Sequence, residues 1–266
     1  MKIRKGLYLA VTLLVSSPSS AYEWRARAFG TDPQNIVMTP LIDAFRFHAE
    51  PAAVWYLEEL GGNLVSREKF ERFSRSVAGA TYGAFEYTYT REGVRRTRIY
   101  YAMSGPDSPF TALGPPSRPM ADFIAQDGTR VHAYVGVTDQ TRLVSTEIEG
   151  DHAQGQHRND AELKAARTIE RDIQRGIVTR GGTLQAYVSQ PMCDSCEHVL
   201  HQMGALYDID INVDYLEADM SEAYRRFRTM VGRFMDTVLV HIRHPDGPGN
   251  PTPPPAAAMC TQIFVQ

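Results

Sequence analysis

Two short clusters in this sequence carry residue types that can do chemistry. The first is Asp160-Ala161-Glu162, directly after Asn159. The second is Pro191-Met192-Cys193-Asp194-Ser195-Cys196. Cysteines three apart in the first turn of a helix point to the same side, and the positive end of the helix favours their thiolates. A zinc site that keeps one position open for water takes three protein ligands. Asp160 can supply the third, as an oxygen beside the sulfurs of Cys193 and Cys196. Glu162 then lies close by without having to bind. It is placed to move the protons of a water that the metal acidifies. Each piece also has a plainer use. An aspartate before an apolar helix is an N-cap, a first-turn glutamate complements the helix dipole, and a Cys-x-x-Cys pair is equally a disulfide or a redox couple.

Rival assignments exist for both clusters. Strand, Cys-x-x-Cys, helix is also the local layout of a thioredoxin-like redox site. That fold needs a downstream proline facing the cysteines, and none occurs between Pro191 and Pro245. His48-Ala49-Glu50 is another ligand-type motif at a helix start, far upstream. His157, three residues before Asp160, is an alternative third ligand. His198 and His201 follow Cys196 and are expected on the surface of its helix.

The elements that must position these residues are readable from periodicity. Around Asp160, residues Leu163, Ala166, Ile169 and Ile173 share one helical face, which Gly176 ends. Thr183 to Val188 reads as a strand leading into the cysteines, and Cys196 to Met203 as the following helix. Ile209 to Tyr215 alternates as a second strand, Met220 to Phe234 is an amphipathic helix, and Val238 to Ile242 reads as a third strand. The helix between them is long enough for the crossover that would pair Ile209–Tyr215 and Val238–Ile242 in parallel. Upstream, Glu50-Pro51 reads as the opening of a helix that Gly61-Gly62 closes, and Ser66 to Val77 as a second helix. Phe85–Tyr89 and Thr97–Tyr101 form a hairpin around Glu92-Gly93. Their aromatics are more simply half-buried core than a stacking platform for bases, and Arg95, Arg96 and Arg98 read as a solvated edge. The break at Gly114 to Pro119 is the best domain boundary. Phe123–Ala125 and Val131–Val137 then flank Asp127-Gly128, a hairpin signal.

Composition bounds what such a chain does. It has 266 residues and a net charge of −3. A protein that lived by gripping nucleic-acid backbone would carry a basic excess, which is absent. Three cysteines exclude a disulfide-stapled scaffold. Lys2, Arg4 and Lys5 precede an apolar run from Leu7 to Val15, and Ser19-Ser20-Ala21 offers a cleavage site. This reads as a Sec signal peptide that is too short to span a bilayer. The mature chain is expected to start at Tyr22 and reach the periplasm or the exterior, without stable membrane association.

With these pieces in place, the sequence resembles the nucleoside, nucleotide and nucleic-acid deaminase superfamily. That family carries H-x-E followed by P-C-x-x-C, with the glutamate as general acid/base and not a ligand. Asn159-Asp160-Ala161-Glu162-Leu163-Lys164 is similar to its first motif, with aspartate in the place of the commoner histidine. Gln190-Pro191-Met192-Cys193-Asp194-Ser195-Cys196 is similar to its second, with Met192 inserted after the proline. The resemblance covers about Phe123 to Ile242 and is closest to deaminase domains of secreted bacterial toxins and effectors. It implies an α/β fold in which a cytidine-deaminase-like α/β/α sandwich (residues 120–244) follows a smaller mixed α+β N-terminal region (22–113). A signal peptide (1–21) and a Pro-rich tail (245–266) complete this organisation. The resemblance further implies Zn2+ held by Asp160, Cys193 and Cys196, and Glu162 as the catalytic proton carrier. The substrate would be cytosine or adenine in a nucleotide or nucleic acid, and an immunity protein is the partner implied for a toxin. The alternatives are an exported thioredoxin-like redox protein, or a non-enzymatic secreted protein with a local disulfide.

Overall fold

Alternation along the strands decides which residues meet which helices, and in this chain both faces of the sheet are apolar. The computed structural model describes residues 22–61, 67–105, 128–133, 141–145, 159–217 and 221–243. In chain order these form β1 (Trp24–Phe29), α1 (Met38–Gly61), α2 (Arg67–Gly79), β2 (Tyr82–Arg91), β3 (Val94–Met103) and β4 (Arg130–His132). There follow α3 (Ala161–Gln174), β5 (Thr183–Val188), α4 (Asp194–Tyr207), β6 (Asp210–Leu216) and α5 (Glu222–Arg243). The strands make one six-stranded mixed sheet in the order β1-β6-β5-β2-β3-β4. Tyr82, Ala84, Tyr101 and Met103 point to one face, where they pack with α1, α2 and α5. Their neighbours Phe85, Tyr87, Tyr100 and Ala102 point to the other and pack with α3 and α4. The fold is α/β, with helices on both sides of the sheet.

The β2–β3 hairpin closes on Glu92 and Gly93, at φ of 55° and 74°. Positive φ at both turn positions matches the twist of the flanking strands, as the sequence predicts. Phe85, Tyr87 and Tyr100 are fully buried, so these aromatics are core and not a stacking platform. Arg98 departs from expectation. It pairs with buried Asp172 at 3.1 Å, tying the hairpin to α3, while Arg95 and Arg96 are solvated.

Two expectations are corrected. Val238–Ile242 is the last part of α5, not a strand. The apolar spacing of Phe227, Val231 and Phe234 carries on to Val238, and Asp236-Thr237 contains no breaker to end the helix. The place beside β6 is taken instead by β1, in parallel register with Trp24 opposite Ile211 and Phe29 opposite Leu216. Pro51 lies inside α1 rather than opening it. The helix begins at Met38 because both carboxylate oxygens of Asp32 accept the free N–H groups of Ile36, Val37 and Met38 at 2.7–2.9 Å. An interior proline costs about 3 kcal/mol. Burial of Leu41, Ala44, Phe45 and Ala49 on the face before it offsets that loss. Strands of the N-terminal region join this same sheet: β2 and β3 pair with each other, and β2 also pairs with β5. The proposed break at Gly114–Pro119, the strand Phe123–Ala125, the signal peptide and the Pro-rich tail lie outside the described residues. Among the described residues no helix is long and apolar enough to cross a membrane.

A pair of histidines sits in the core between α1 and β4. His48 is 6% exposed, its Nδ1 donates to the Ala44 carbonyl at 2.8 Å, and its ring lies 4.3 Å from that of His132. Burial, then His132 and Lys164, hold the His48 imidazole well below its usual pKa, with the Ala44 carbonyl pulling the other way. A lowered native pKa means that acid protonates the unfolded chain first, so the contribution of His48 is present above about pH 6.5 and lost below it. Relative to His48→Gln, the wild type is expected to lose up to about 1.4 kcal/mol of stability per pH unit below pH 6.5. Urea unfolding of both chains at pH 7.5, 6.5 and 5.5 measures this, and a gap that stays constant with pH would refute it.

Candidate metal centre

The parallel arrangement of β5 and β6 brings the start of α4 to the carboxyl edge of the sheet. Cys193 is the N-cap of α4, with φ −81° and ψ 161°, and its sulfur accepts the backbone N–H of Cys196 at 3.4 Å. Cys196 is therefore in the first turn, facing the same way, at an Sγ–Sγ distance of 3.3 Å. That is well beyond the ~2.05 Å of a disulfide, and neither cysteine is in one.

Asp160 occupies the N-cap position of α3, yet its side chain makes no capping hydrogen bond. Its carboxylate turns to the sulfurs, with Oδ2 at 3.4 Å from Cys196 Sγ and 3.9 Å from Cys193 Sγ. The N-cap role, the plainer reading of this aspartate, is not the one its geometry serves. The three donor atoms all lie within 4.8 Å of one another. A tetrahedral ion with sulfurs at about 2.3 Å and an oxygen at about 2.0 Å spreads its ligands roughly 3.5–3.8 Å apart. The observed separations bracket that range, so the donor set fits a tetrahedral ion with one position left open. Two thiolates and a carboxylate suit zinc among several metals.

Glu162, in the first turn of α3, is 4% exposed and borders the same cavity. Burial pushes its carboxyl up to about 7; Asp160 and Cys193 push the same way, while its own backbone N–H and the Cys196 thiol pull it down. The Cys196 thiol is raised by its hydrogen bond with Cys193, then by burial and the neighbouring carboxylates. A cation at the centre would reverse that last effect, since it favours thiolate.

The cavity has a volume of about 380 Å³. Beyond the four predicted residues it is bordered by Thr81, Ser104, Gly105, Asn159, Gln190 and Pro191. Asn159 and Gln190 flank the two motifs and were within reach of sequence reasoning. Thr81 and Ser104 come from the ends of the hairpin strands, where no local signal marks them. They are fixed by Thr81 Oγ1 donating to Gln190 Oε1 at 3.0 Å and by the Thr81 backbone N–H donating to Ser104 Oγ at 2.7 Å. Buried Lys164 braces the same rim, donating to the Met103 and Gly105 carbonyls at 2.9 and 2.7 Å.

The rival ligands fare differently. His48 is in the core pair described above and does not belong to the donor cluster. His157 lies outside the described residues. His198 meets Gln202 at 2.6 Å on the surface of α4, while half-buried His201 packs on Trp24 and Tyr22, and neither belongs to the donor cluster. No protein-family model, curated protein or solved structure matches the chain.

Proposed function

We propose that the chain is a zinc-dependent hydrolytic deaminase of cytosine or adenine, in a nucleotide or a nucleic acid. One observation carries the reading. Asp160, Cys193 and Cys196 converge at the carboxyl edge of the sheet, with the buried carboxyl of Glu162 beside them at the edge of one cavity. The order of elements supports it: a hairpin, a helix opening on Asp-x-Glu, a strand, and a helix opening on Cys-x-x-Cys. Asp160, Cys193 and Cys196 would hold the ion. When bound, zinc supplies Lewis-acid activation of water.

The residues of the chain do the rest. In hydrolytic deamination the carbon bearing the amino group gains an oxygen from water and loses ammonia. Two protons leave the water in turn. Glu162 takes each in its carboxylate, passing one to the ring nitrogen and one to the departing amine. Its burial keeps bulk water from competing for those protons. Thr81, Ser104, Asn159 and Gln190 offer donors and acceptors around the base. A signal peptide would carry such an enzyme out of the producing cell, as a toxin or effector restrained by an immunity protein.

The test is direct. The chain purified under reducing conditions is expected to hold about one zinc per molecule. Offered single-stranded DNA, RNA and free nucleosides, it should release uracil or hypoxanthine from at least one. Metal-free protein with no product from any of them would overturn the proposal.

A further inference from the structure

A second cavity, of about 710 Å³, lies between α1 and α5, on the face of the sheet opposite the cysteines. One stripe of α5 lines it, recurring at helical spacing through Glu222, Arg225, Arg226, Thr229, Met230 and Arg233. Met38 and Ile42 of α1 give it an apolar floor, with Asn35 and Thr39 beside them. Arg225, Arg226 and Arg233 border this cleft with side chains exposed to solvent. Arg226 is held in place, donating to the Asp32 carbonyl at 3.4 Å and to Asn35 Oδ1 at 3.2 Å. Among the described residues no carboxylate pairs with Arg225 or Arg233. As a whole α5 carries five arginines against Glu222 and Asp236, in a chain of net charge −3. Positive charge is concentrated here against the balance of the molecule.

Topology relates this cleft to the metal centre. Strands β1, β6 and β5 are mutually parallel, so their carboxyl ends share one edge of the sheet. The helices that follow them, α1, α5 and α4, must all begin at that edge. First-turn residues Met38 and Glu222 border the cleft, as Cys193 and Cys196 border the metal site. In open α/β sheets this edge is where ligands bind.

We infer that the α1–α5 cleft binds the phosphate groups of a nucleotide or a nucleic-acid strand through Arg225, Arg226 and Arg233. The inference rests on the reading of the chain as acting on nucleobases and adds where the phosphates are held. Planar guanidinium groups suit phosphate oxygens in paired hydrogen bonds. Arg225 and Arg233 are separated by about 12 Å along the helix, enough to span several phosphates of a stacked strand.

The experiment measures binding rather than turnover, using a fluorescent ten-nucleotide single strand and inorganic tripolyphosphate at 50 and 200 mM salt. Arg225→Gln/Arg233→Gln changes two exposed side chains and is compared with Arg95→Gln/Arg96→Gln at the far end of the hairpin. Melting curves confirm that each variant is folded. The cleft variant is expected to bind the strand at least ~10-fold more weakly, with a salt dependence shallower by about one to two, and the hairpin variant should bind as the wild type does. Displacement by tripolyphosphate supports the cleft. Tripolyphosphate binding without strand binding supports it too and identifies the source as a small nucleotide. No binding of either probe at 50 mM salt, or equal weakening by both variants, overturns it. Cleft-dependent binding in a chain that forms no product would leave the cleft standing and the deaminase reading fallen. Product formation with undiminished binding in the cleft variant would do the opposite.

Discussion

Glu162→Gln is expected to lower deamination by at least ~100-fold while leaving about one zinc bound per chain. The substitution keeps size and shape in a position that is only 4% exposed, and it removes the proton acceptor. Glu162 is not one of the three clustered donors, so metal content should not follow activity down. Product release and metal analysis on the same preparation separate the two effects. Unchanged turnover would take Glu162 out of the chemistry. A redox protein or a disulfide-stapled protein would be indifferent to this change.

The opposite pattern is expected at the cysteines. Cys193→Ser should weaken zinc binding by at least ~100-fold and abolish activity with it, because a hydroxyl replaces one of two soft thiolates. Serine is a good N-cap, so the role that Cys193 sulfur plays toward the Cys196 N–H is retained and α4 should remain intact. Cys193→Ala loses the cap as well and should cost about 1 kcal/mol more in stability than the serine variant. Zinc titration by equilibrium dialysis and a thermal melt report each effect on its own. Full zinc retention in Cys193→Ser would break the ligand assignment.

The clustering of the candidate residues was more legible in the sequence than the fold around it. Asp160, Glu162, Cys193 and Cys196 lie within or beside strongly periodic helices, and short-range spacing is enough to fix which way first-turn residues point. The misread elements failed for physical reasons. Alternating Trp24–Phe29 uses alanine and arginine on an exposed edge, so β1 has almost no apolar signature. Without it, the only strand available beside β6 was the β-branched run at Val238, which the structure keeps helical. Pro51 looked like a helix start because the stronger start, the Asp32 carboxylate, sits four residues and more ahead of the groups it caps. Thr81 and Ser104 reach the cavity only through strand pairing across the sheet, which no local pattern encodes.

The strand β1 also sets the order in which the molecule can be finished. It is the first described element of the chain, yet its partner is β6, with Trp24 opposite Ile211. The last inserted pieces then converge on it: the Ile211 N–H donates to the Glu23 carbonyl at 2.8 Å, and Arg27 meets Asp214 at 2.9 Å. During synthesis Trp24 is made 187 residues ahead of Ile211, its register partner, so β1 must wait for β6. Contacts of such long sequence separation are slow to form, because the intervening loop must close before any of them stabilises the pair. Once β6 is made and until β1 docks, the outer edge of β6 stays unpaired, open to pairing with another chain. Among the described strands, the first made thus closes on the last made.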